Sequence, residues 1–110
     1  MSKREPGVLL DDIRNSISKI ERYTAGLNEA SFLADEKTID AVVRNLEIIG
    51  EAAKQLPIKF KVRHSAIPWS RVAGLRNRIV HDYPGIDLQL VWQILKTAIP
   101  KLALQIAELK

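Results

Sequence analysis

Apolar residues recur along most of the chain at spacings of three and four, the periodicity of amphipathic helices. No stretch shows the convincing two-residue alternation that indicates a strand. A short helical connector is expected between Ile58 and His64. The pattern predicts four main helices, from about Leu9 to Thr24, from Ser31 or Asp35 to Gln55, from Pro68 to about His81, and from Asp87 to the C-terminus.

Residues that end or begin helices stand between these segments. Gly26 is a plausible stop for the first helix, and Asp87 is a natural N-cap for the fourth. Pro100 is expected to kink the fourth helix without ending it, because the apolar spacing continues beyond it. The prediction is all-α: an antiparallel up-and-down four-helix bundle with a short extra helical connector. The length of 110 residues predicts one domain over residues 1–110.

Three apolar residues fall away from the core face of their predicted helices, namely Ile48, Leu90 and Ile94. They are either ordinary surface residues or a second apolar face for a partner. The partner interpretation is favoured because all three lie well off the stripe.

Composition bears on the cellular compartment of the protein and on the kind of partner it binds. There are no cysteines, so disulfides and thiolate metal sites are excluded and a reducing compartment is the default. The apolar run near the N-terminus is too short for a signal peptide or a membrane span, so we expect a cytoplasmic protein that contacts no membrane. The formal net charge of +4 fits a polyanionic partner such as nucleic acid, although many small domains share it.

The third predicted helix carries an arginine in an unexpected place. Plotted at about 100° per residue, Arg76 falls near the middle of the helix's apolar face. Burying an unpaired charge is costly, so its charge needs a partner. A salt bridge to Glu47 or Glu51 would explain it, and so would an anion bound in a cleft. The two explanations are compatible. The apolar face consists of Trp69, Val72, Ala73, Ile79 and Val80.

The chemistry of the segment from Arg76 to Tyr83 suits RNA cleavage. Asn77 and His81 share a helix face, and Tyr83 is held extended before a proline. Histidine exchanges protons near neutral pH, and arginine stabilises a phosphate in its transition state. This pair fits metal-independent cleavage by an attacking 2′-hydroxyl. One histidine does not readily serve as both base and acid, and a symmetric dimer would supply a second.

No metal or cofactor is expected. His64 and His81 are the only histidines and are far apart in the sequence, and no glycine-rich phosphate loop is present. His64 sits in a connector rich in lysine and arginine, where it is interpreted as solvated or as part of a phosphate-contacting patch. Trp69 and Trp92 lie on core stripes and are interpreted as packing residues.

The segment from Arg76 to Tyr83 resembles the R-x4-H-x-Y motif of the HEPN superfamily, specifically its HepT-like toxins, and Asn77 fits the polar position after the arginine. The stretch from Ile48 to Lys54 is similar to the second-helix signature of that family. The resemblance covers nearly the whole chain. It implies catalysis by Arg76 and His81. It also implies supporting or RNA-contacting roles for Asn77, Tyr83, Glu51 and Lys54.

The resemblance also implies partners. HepT-like proteins are usually toxins of type II toxin–antitoxin pairs, acting as metal-independent ribonucleases and forming homodimers with one shared cleft. Their antitoxin is an MNT-type nucleotidyltransferase that can transfer AMP to the motif tyrosine, here Tyr83. Phosphate added beside Arg76 and His81 would occupy the cleft and repel RNA.

Two other functions remain open from the sequence. The chain could be a non-catalytic subunit that binds a nucleotide or a nucleotidyltransferase partner. It could also be a structural bundle in which Arg76 only pairs with a carboxylate and His81 only caps a helix.

Overall fold

The computed structural model describes residues 5–80 and 85–109, and within these ranges every regular element is a helix. The all-α prediction is confirmed, whereas the antiparallel up-and-down four-helix arrangement and the single domain stay predictions. Eight helices occur in the described ranges: α1 (Pro6–Thr24), α2 (Glu29–Leu33), α3 (Glu36–Gln55), α4 (Ile58–Arg63), α5 (Trp69–Ala73), α6 (Leu75–Ile79), α7 (Leu88–Lys96) and α8 (Ala98–Ala107).

Capping residues set the ends of the first three helices. Gly26, with φ of 79°, follows α1 and provides the stop expected from the sequence. The two possible starts of the second predicted helix correspond to two helices. Asn28 caps the short α2 through a reciprocal pair of hydrogen bonds with Ser31. The Asp35 carboxylate accepts a hydrogen bond from the Thr38 backbone N–H and begins α3.

The third predicted helix is broken in two at Gly74, where the backbone leaves helical geometry with φ of −90° and ψ of 9°. The described part ends at Ile79, earlier than the predicted end at His81. This break overturns the prediction that Arg76 lies on the apolar face of one continuous helix. Arg76 belongs to α6, and 61% of its side chain is exposed. Water therefore solvates most of the Arg76 side chain, and its charge is not buried as the helix projection suggested.

The fourth predicted helix begins where expected, because Asp87 accepts a hydrogen bond from the Leu90 backbone N–H. It is interrupted at Thr97, between α7 and α8. Pro100 explains the position of the break, since a proline has no N–H for the carbonyl four residues earlier, here that of Lys96, and its ring crowds that carbonyl.

The core contains buried residues of every described helix except α4. Its composition corrects the interpretation of Leu90 and Ile94, which the sequence placed away from the core faces. Ile94 is only 2% exposed, and Leu90 is half-buried against the core. Neither belongs to a free apolar face for a partner. Ile48 is also half-buried. Trp69 and Trp92 are both buried, as predicted. The Trp92 ring lies 5.3 Å from that of Phe32, which is fully buried under α7.

Helix α3 is the element on which the rest is assembled, packing against α1, α2, α5 and α6. Gly50 allows the approach of α5. A Cβ atom at Gly50 would lie 3.3 Å from the carbonyl oxygens of Val72 and Ala73, closer than ordinary side-chain contact. The chain that leads into α6 is thereby held against the surface of α3. Among the described helices, none is both long enough and apolar enough to cross a membrane.

Candidate functional site

An open cleft of about 480 Å³ lies between α3 and the α5–α6 pair, and it contains four of the six site residues predicted from the sequence. We name it the Arg76 cleft. Three cationic side chains and two carboxylates line it, so both signs of charge are present. The lining residues are Arg44, Glu47, Ile48, Gly50, Glu51, Lys54, Ala73, Arg76 and Asn77.

The small residues Gly50 and Ala73 line the cleft where α3 approaches the backbone of α5. Longer polar side chains of α3 and α6 complete the lining. An open cleft lined by charged side chains suits an extended polar chain better than an enclosed small molecule. The cleft brings together the α3 stretch and the α6 segment that the sequence resemblance singled out.

The Arg76 guanidinium is oriented by Glu47. Its Nε donates a hydrogen bond of 3.1 Å to Oε2 of Glu47, which itself is 38% exposed at the side chain. Of the two carboxylates considered from the sequence, Glu47 is therefore the partner, and Glu51 is not. Among the described residues, Nε is the only nitrogen of this guanidinium that makes a hydrogen bond. Its terminal NH₂ groups are left for a ligand, and such groups hold phosphate oxygens well.

The remaining predicted residues of the cleft are exposed and weakly engaged. Glu51 accepts one long hydrogen bond of 3.5 Å, from Nε2 of Gln55. The side chains of Lys54 and Asn77 make no hydrogen bond with any other described residue. Arg44 also lines the cleft and was not singled out in the sequence. Its position seven residues before Glu51, on the same face of the amphipathic α3, was a weak signal, because that position alone does not say which helix this face will meet.

His81 and Tyr83 lie outside the described residues, so the catalytic role of His81 and the modification of Tyr83 stay predictions. The described residues on either side of them are joined. Val80 and Ile86 form an isolated antiparallel bridge, and the Asp87 N–H donates a hydrogen bond of 2.8 Å to the Ile79 carbonyl. The end of α6 and the residues that lead into α7 are thereby held together by backbone contacts.

His64 was interpreted from the sequence as solvated or as part of a phosphate-contacting patch. The structure corrects the first alternative, because the residue is half-buried and its ring centroid lies 4.5 Å from that of Phe60. The second alternative stays a prediction. The His64 carbonyl accepts a hydrogen bond of 3.0 Å from the Trp69 indole N–H. Within residues 5–80 and 85–109, no group of three or more histidine, aspartate or glutamate residues is placed to hold a metal ion.

Comparison with known proteins places this arrangement in a family. The family model described as "Ribonuclease HepT-like" matches residues 13–109. The chain is 43% identical over 100 residues to a probable ribonuclease HepT of Thermococcus cleftensis, with 91% of each chain covered. It is 34% identical over 106 residues to a putative RNase of Caldanaerobacter subterraneus subsp. tengcongensis, covering 96% of this chain and 95% of the relative.

A further relative is longer than this chain. A gamma-glutamylcyclotransferase and putative RNase of Methanocaldococcus jannaschii is 38% identical over 107 residues, which are 97% of this chain and 48% of that protein. No solved structure matches. A family match over residues 13–109, with relatives of similar length, leaves one conclusion. The chain belongs to the ribonuclease HepT-like family, as the resemblance of its motif implied.

Proposed function

We propose that this protein is a metal-independent endoribonuclease whose active site includes the Arg76 cleft. The observation that carries the proposal is the state of Arg76, which lines an open, polar cleft and is held through Nε by Glu47 at 3.1 Å, while its terminal nitrogens bond to no described residue. An arginine oriented in this way is prepared to bind a phosphodiester. The names of the relatives, a probable ribonuclease and putative RNases, agree with this choice of substrate.

In the proposed reaction the ribose 2′-oxygen attacks the adjacent phosphorus while the bond to the 5′-oxygen breaks. The products are a 2′,3′-cyclic phosphate and a 5′-hydroxyl. Arg76 stabilises the negative charge on the phosphate oxygens in the transition state. His81 removes the proton from the 2′-hydroxyl or returns one to the leaving oxygen. Asn77, Glu51 and Lys54 contact and orient the RNA, as does Tyr83.

The reaction needs proton transfer on opposite sides of the phosphorus, and one chain has a single histidine in the motif. We therefore propose a homodimer in which two motifs share a cleft. The apolar residues Leu90 and Ile94 no longer support it, because they pack in the core. The dimer proposal rests on the chemistry alone. Light scattering at micromolar concentration tests it, and a monomer would contradict the shared cleft.

The biological role that we propose is the toxin of a type II toxin–antitoxin pair. Its antitoxin would be an MNT-type nucleotidyltransferase that transfers AMP to Tyr83. Tyr83 follows Arg76 by seven residues. A phosphate added there would repel the RNA backbone from the cleft. Incubation with the partner and ATP should raise the intact mass by whole AMP units. The Tyr83→Phe variant should show no increase, and an equal increase would exclude Tyr83 as the acceptor.

RNA cleavage in the presence of EDTA is the direct test of the activity. Wild type should cleave, whereas Arg76→Ala and His81→Ala should lose cleavage and keep the circular dichroism spectrum of the fold. Arg22→Ala is a matched control, because Arg22 is an exposed arginine of α1 outside the cleft. Cleavage by His81→Ala at the wild-type rate would refute the assignment of that residue, and cleavage that requires a divalent ion would refute the metal-independent mechanism.

A further inference from the structure

A second groove, of about 350 Å³, lies between the α5–α6 pair and α8 and shares no lining residue with the Arg76 cleft. We name it the basic groove. It has three cationic side chains and no carboxylate in its lining, over a largely apolar base. The lining residues are Pro68, Arg71, Val72, Leu75, Arg78, Thr97, Ala98, Ile99, Lys101, Leu102 and Gln105.

No carboxylate in the part of the chain that the structure describes neutralises the positive charges of this groove. Among the described residues, Arg71, Arg78 and Lys101 form no ion pair. Partial burial lowers the pKa of Arg78, and the neighbouring charge of Arg71 lowers it further. The two arginines are therefore close enough to repel each other, in a place where water screens them incompletely. A bound anion would relieve this repulsion, and two adjacent guanidinium groups are well suited to a phosphate.

The base of the groove adds a second requirement for the ligand. Val72 and Leu75 on one side and Ile99 and Leu102 on the other are core residues whose edges reach the groove. A bare inorganic anion would leave this apolar surface uncovered. A ligand with a phosphate at one end and a flat, weakly polar body at the other would use both parts. The side chains of Thr97 and Gln105 already donate to the Gln93 and Ala66 carbonyls, so they would offer their oxygens as acceptors to the polar edges of the ligand.

We propose that the basic groove is a nucleotide subsite, which holds a phosphate on Arg71 and Arg78 and lays the sugar and base over the apolar residues. The nucleotide has two possible sources with the same chemistry: one unit of a bound RNA strand, or a free nucleotide. The first source rests on the proposed ribonuclease function, because the strand would continue from the Arg76 cleft. The second is independent of it. Arg78 and Arg76 lie two residues apart on α6 but line different grooves.

Binding of mononucleotides to the intact protein is the first test. Calorimetry with adenosine 5′-monophosphate and uridine 5′-monophosphate is compared with inorganic phosphate and with adenosine. The double variant Arg71→Gln/Arg78→Gln should bind nucleotide at least tenfold more weakly, and Arg22→Gln should bind as wild type does. NMR shifts on titration should concentrate at residues 97–105. If mononucleotide binds, then binding of inorganic phosphate as tightly as nucleotide, or unchanged binding by the double variant, would overturn the nucleotide assignment; if mononucleotide does not bind, the oligonucleotide below decides.

A single-stranded 2′-O-methyl RNA of nine nucleotides is the second probe, since it lacks the attacking hydroxyl and is not cleaved by the proposed reaction. Oligonucleotide binding that weakens in the double variant, without mononucleotide binding, identifies the RNA strand as the occupant. If the double variant weakens mononucleotide binding but binds the oligonucleotide as wild type does, the occupant of the groove is a free nucleotide. If the double variant weakens neither mononucleotide binding nor oligonucleotide binding, the subsite is refuted. Nucleotide binding at the groove in a protein that cleaves no RNA would retain the subsite and refute the ribonuclease proposal.

Discussion

Arg76 on α6 donates a hydrogen bond of 3.1 Å from Nε to Oε2 of Glu47 on α3, and both side chains remain partly exposed. Exposed ion pairs contribute only about 0–1 kcal/mol to stability. The pair therefore holds the fold together weakly. Its clearer consequence is geometric, because it restrains the guanidinium at the lining of the Arg76 cleft and leaves the terminal nitrogens without a hydrogen bond to any described residue. The contact connects the helix that carries the motif to the helix on which the fold is assembled.

Glu47→Gln is expected to reduce RNA cleavage while changing the free energy of unfolding by less than about 1 kcal/mol. The glutamine keeps the size of the side chain but loses the charge that orients Arg76, so the guanidinium samples more orientations. We expect a roughly tenfold fall in kcat/KM, which corresponds to about 1.4 kcal/mol of transition-state stabilisation. Initial rates on a defined RNA and urea denaturation measure the two effects.

The matched control for this change is Glu51→Gln. Glu51 lines the same cleft, and its carboxylate is bonded to Gln55 and not to Arg76. The Glu51→Gln substitution alters the charge of the cleft by the same amount as Glu47→Gln and leaves the hydrogen bond between Arg76 and Glu47 intact. Loss of the proposed contact of Glu51 with RNA should raise KM, whereas loss of the orientation of Arg76 should lower kcat. An equal fall of kcat in both variants would mean that the effect of Glu47 is one of charge in the cleft and not of arginine orientation.

The close approach of α3 and α5 at Gly50 gives a prediction about stability. Gly50→Val adds methyl groups at a point where even Cβ would lie 3.3 Å from two backbone carbonyls. Overpacking of this kind costs about 1–3 kcal/mol of stability. Here it would also push α5 away from α3 beside the Arg76 cleft. Thermal or urea unfolding measures the loss. Gly7→Val is the control, since nothing lies within 4 Å of a Cβ at Gly7, and a loss of equal size there would rule out the packing explanation.

Both the helix ends and the site could be predicted in part from the sequence. The ends of α1 and α3 were recoverable because Gly26, Asp35 and Pro57 act through local backbone chemistry. The break at Gly74 was not, because a helical projection assumes continuity, and the short α5 and α6 are held by packing on α3. The same assumption gave the wrong environment for Arg76.

Residues that meet across the fold were predicted least well. The contact of Arg76 with a carboxylate of α3 was anticipated, because charge and helix pattern suggested it, but the choice of Glu47 over Glu51 needed the structure. The basic groove had no sequence signal, since Arg71, Arg78 and Lys101 come from three helices. Ile94 seemed free for a partner because a single helix face was assumed for a segment that is covered on more than one side.

The start of α3 gives a pH dependence. Hydrogen bonds from the Thr38 hydroxyl and backbone N–H lower the pKa of Asp35 below its usual 3.8. A depressed folded pKa means that Asp35 stabilises the protein above pH 3.8, and this contribution is lost as the pH falls through the folded value. Asp35→Asn keeps a capping side chain without the titration. Urea unfolding from pH 7 to pH 2 should show the difference between wild type and variant shrinking toward low pH, and a difference independent of pH would contradict it.

Arg76→Lys separates the charge of Arg76 from its shape. Lysine keeps one positive charge near Glu47, so the stability of the fold should change by less than about 0.5 kcal/mol. It lacks the planar set of nitrogens that can hold Glu47 with one edge and a phosphate with the other. We therefore expect at least a tenfold loss of kcat with a smaller change in KM, because the missing contact would act mainly in the transition state. Single-turnover cleavage measures the chemical step, with Arg22→Lys as the control for a surface exchange of the same kind. A lysine variant that cleaves as fast as wild type would mean that Arg76 supplies charge alone, and that its alignment by Glu47 does not serve the reaction.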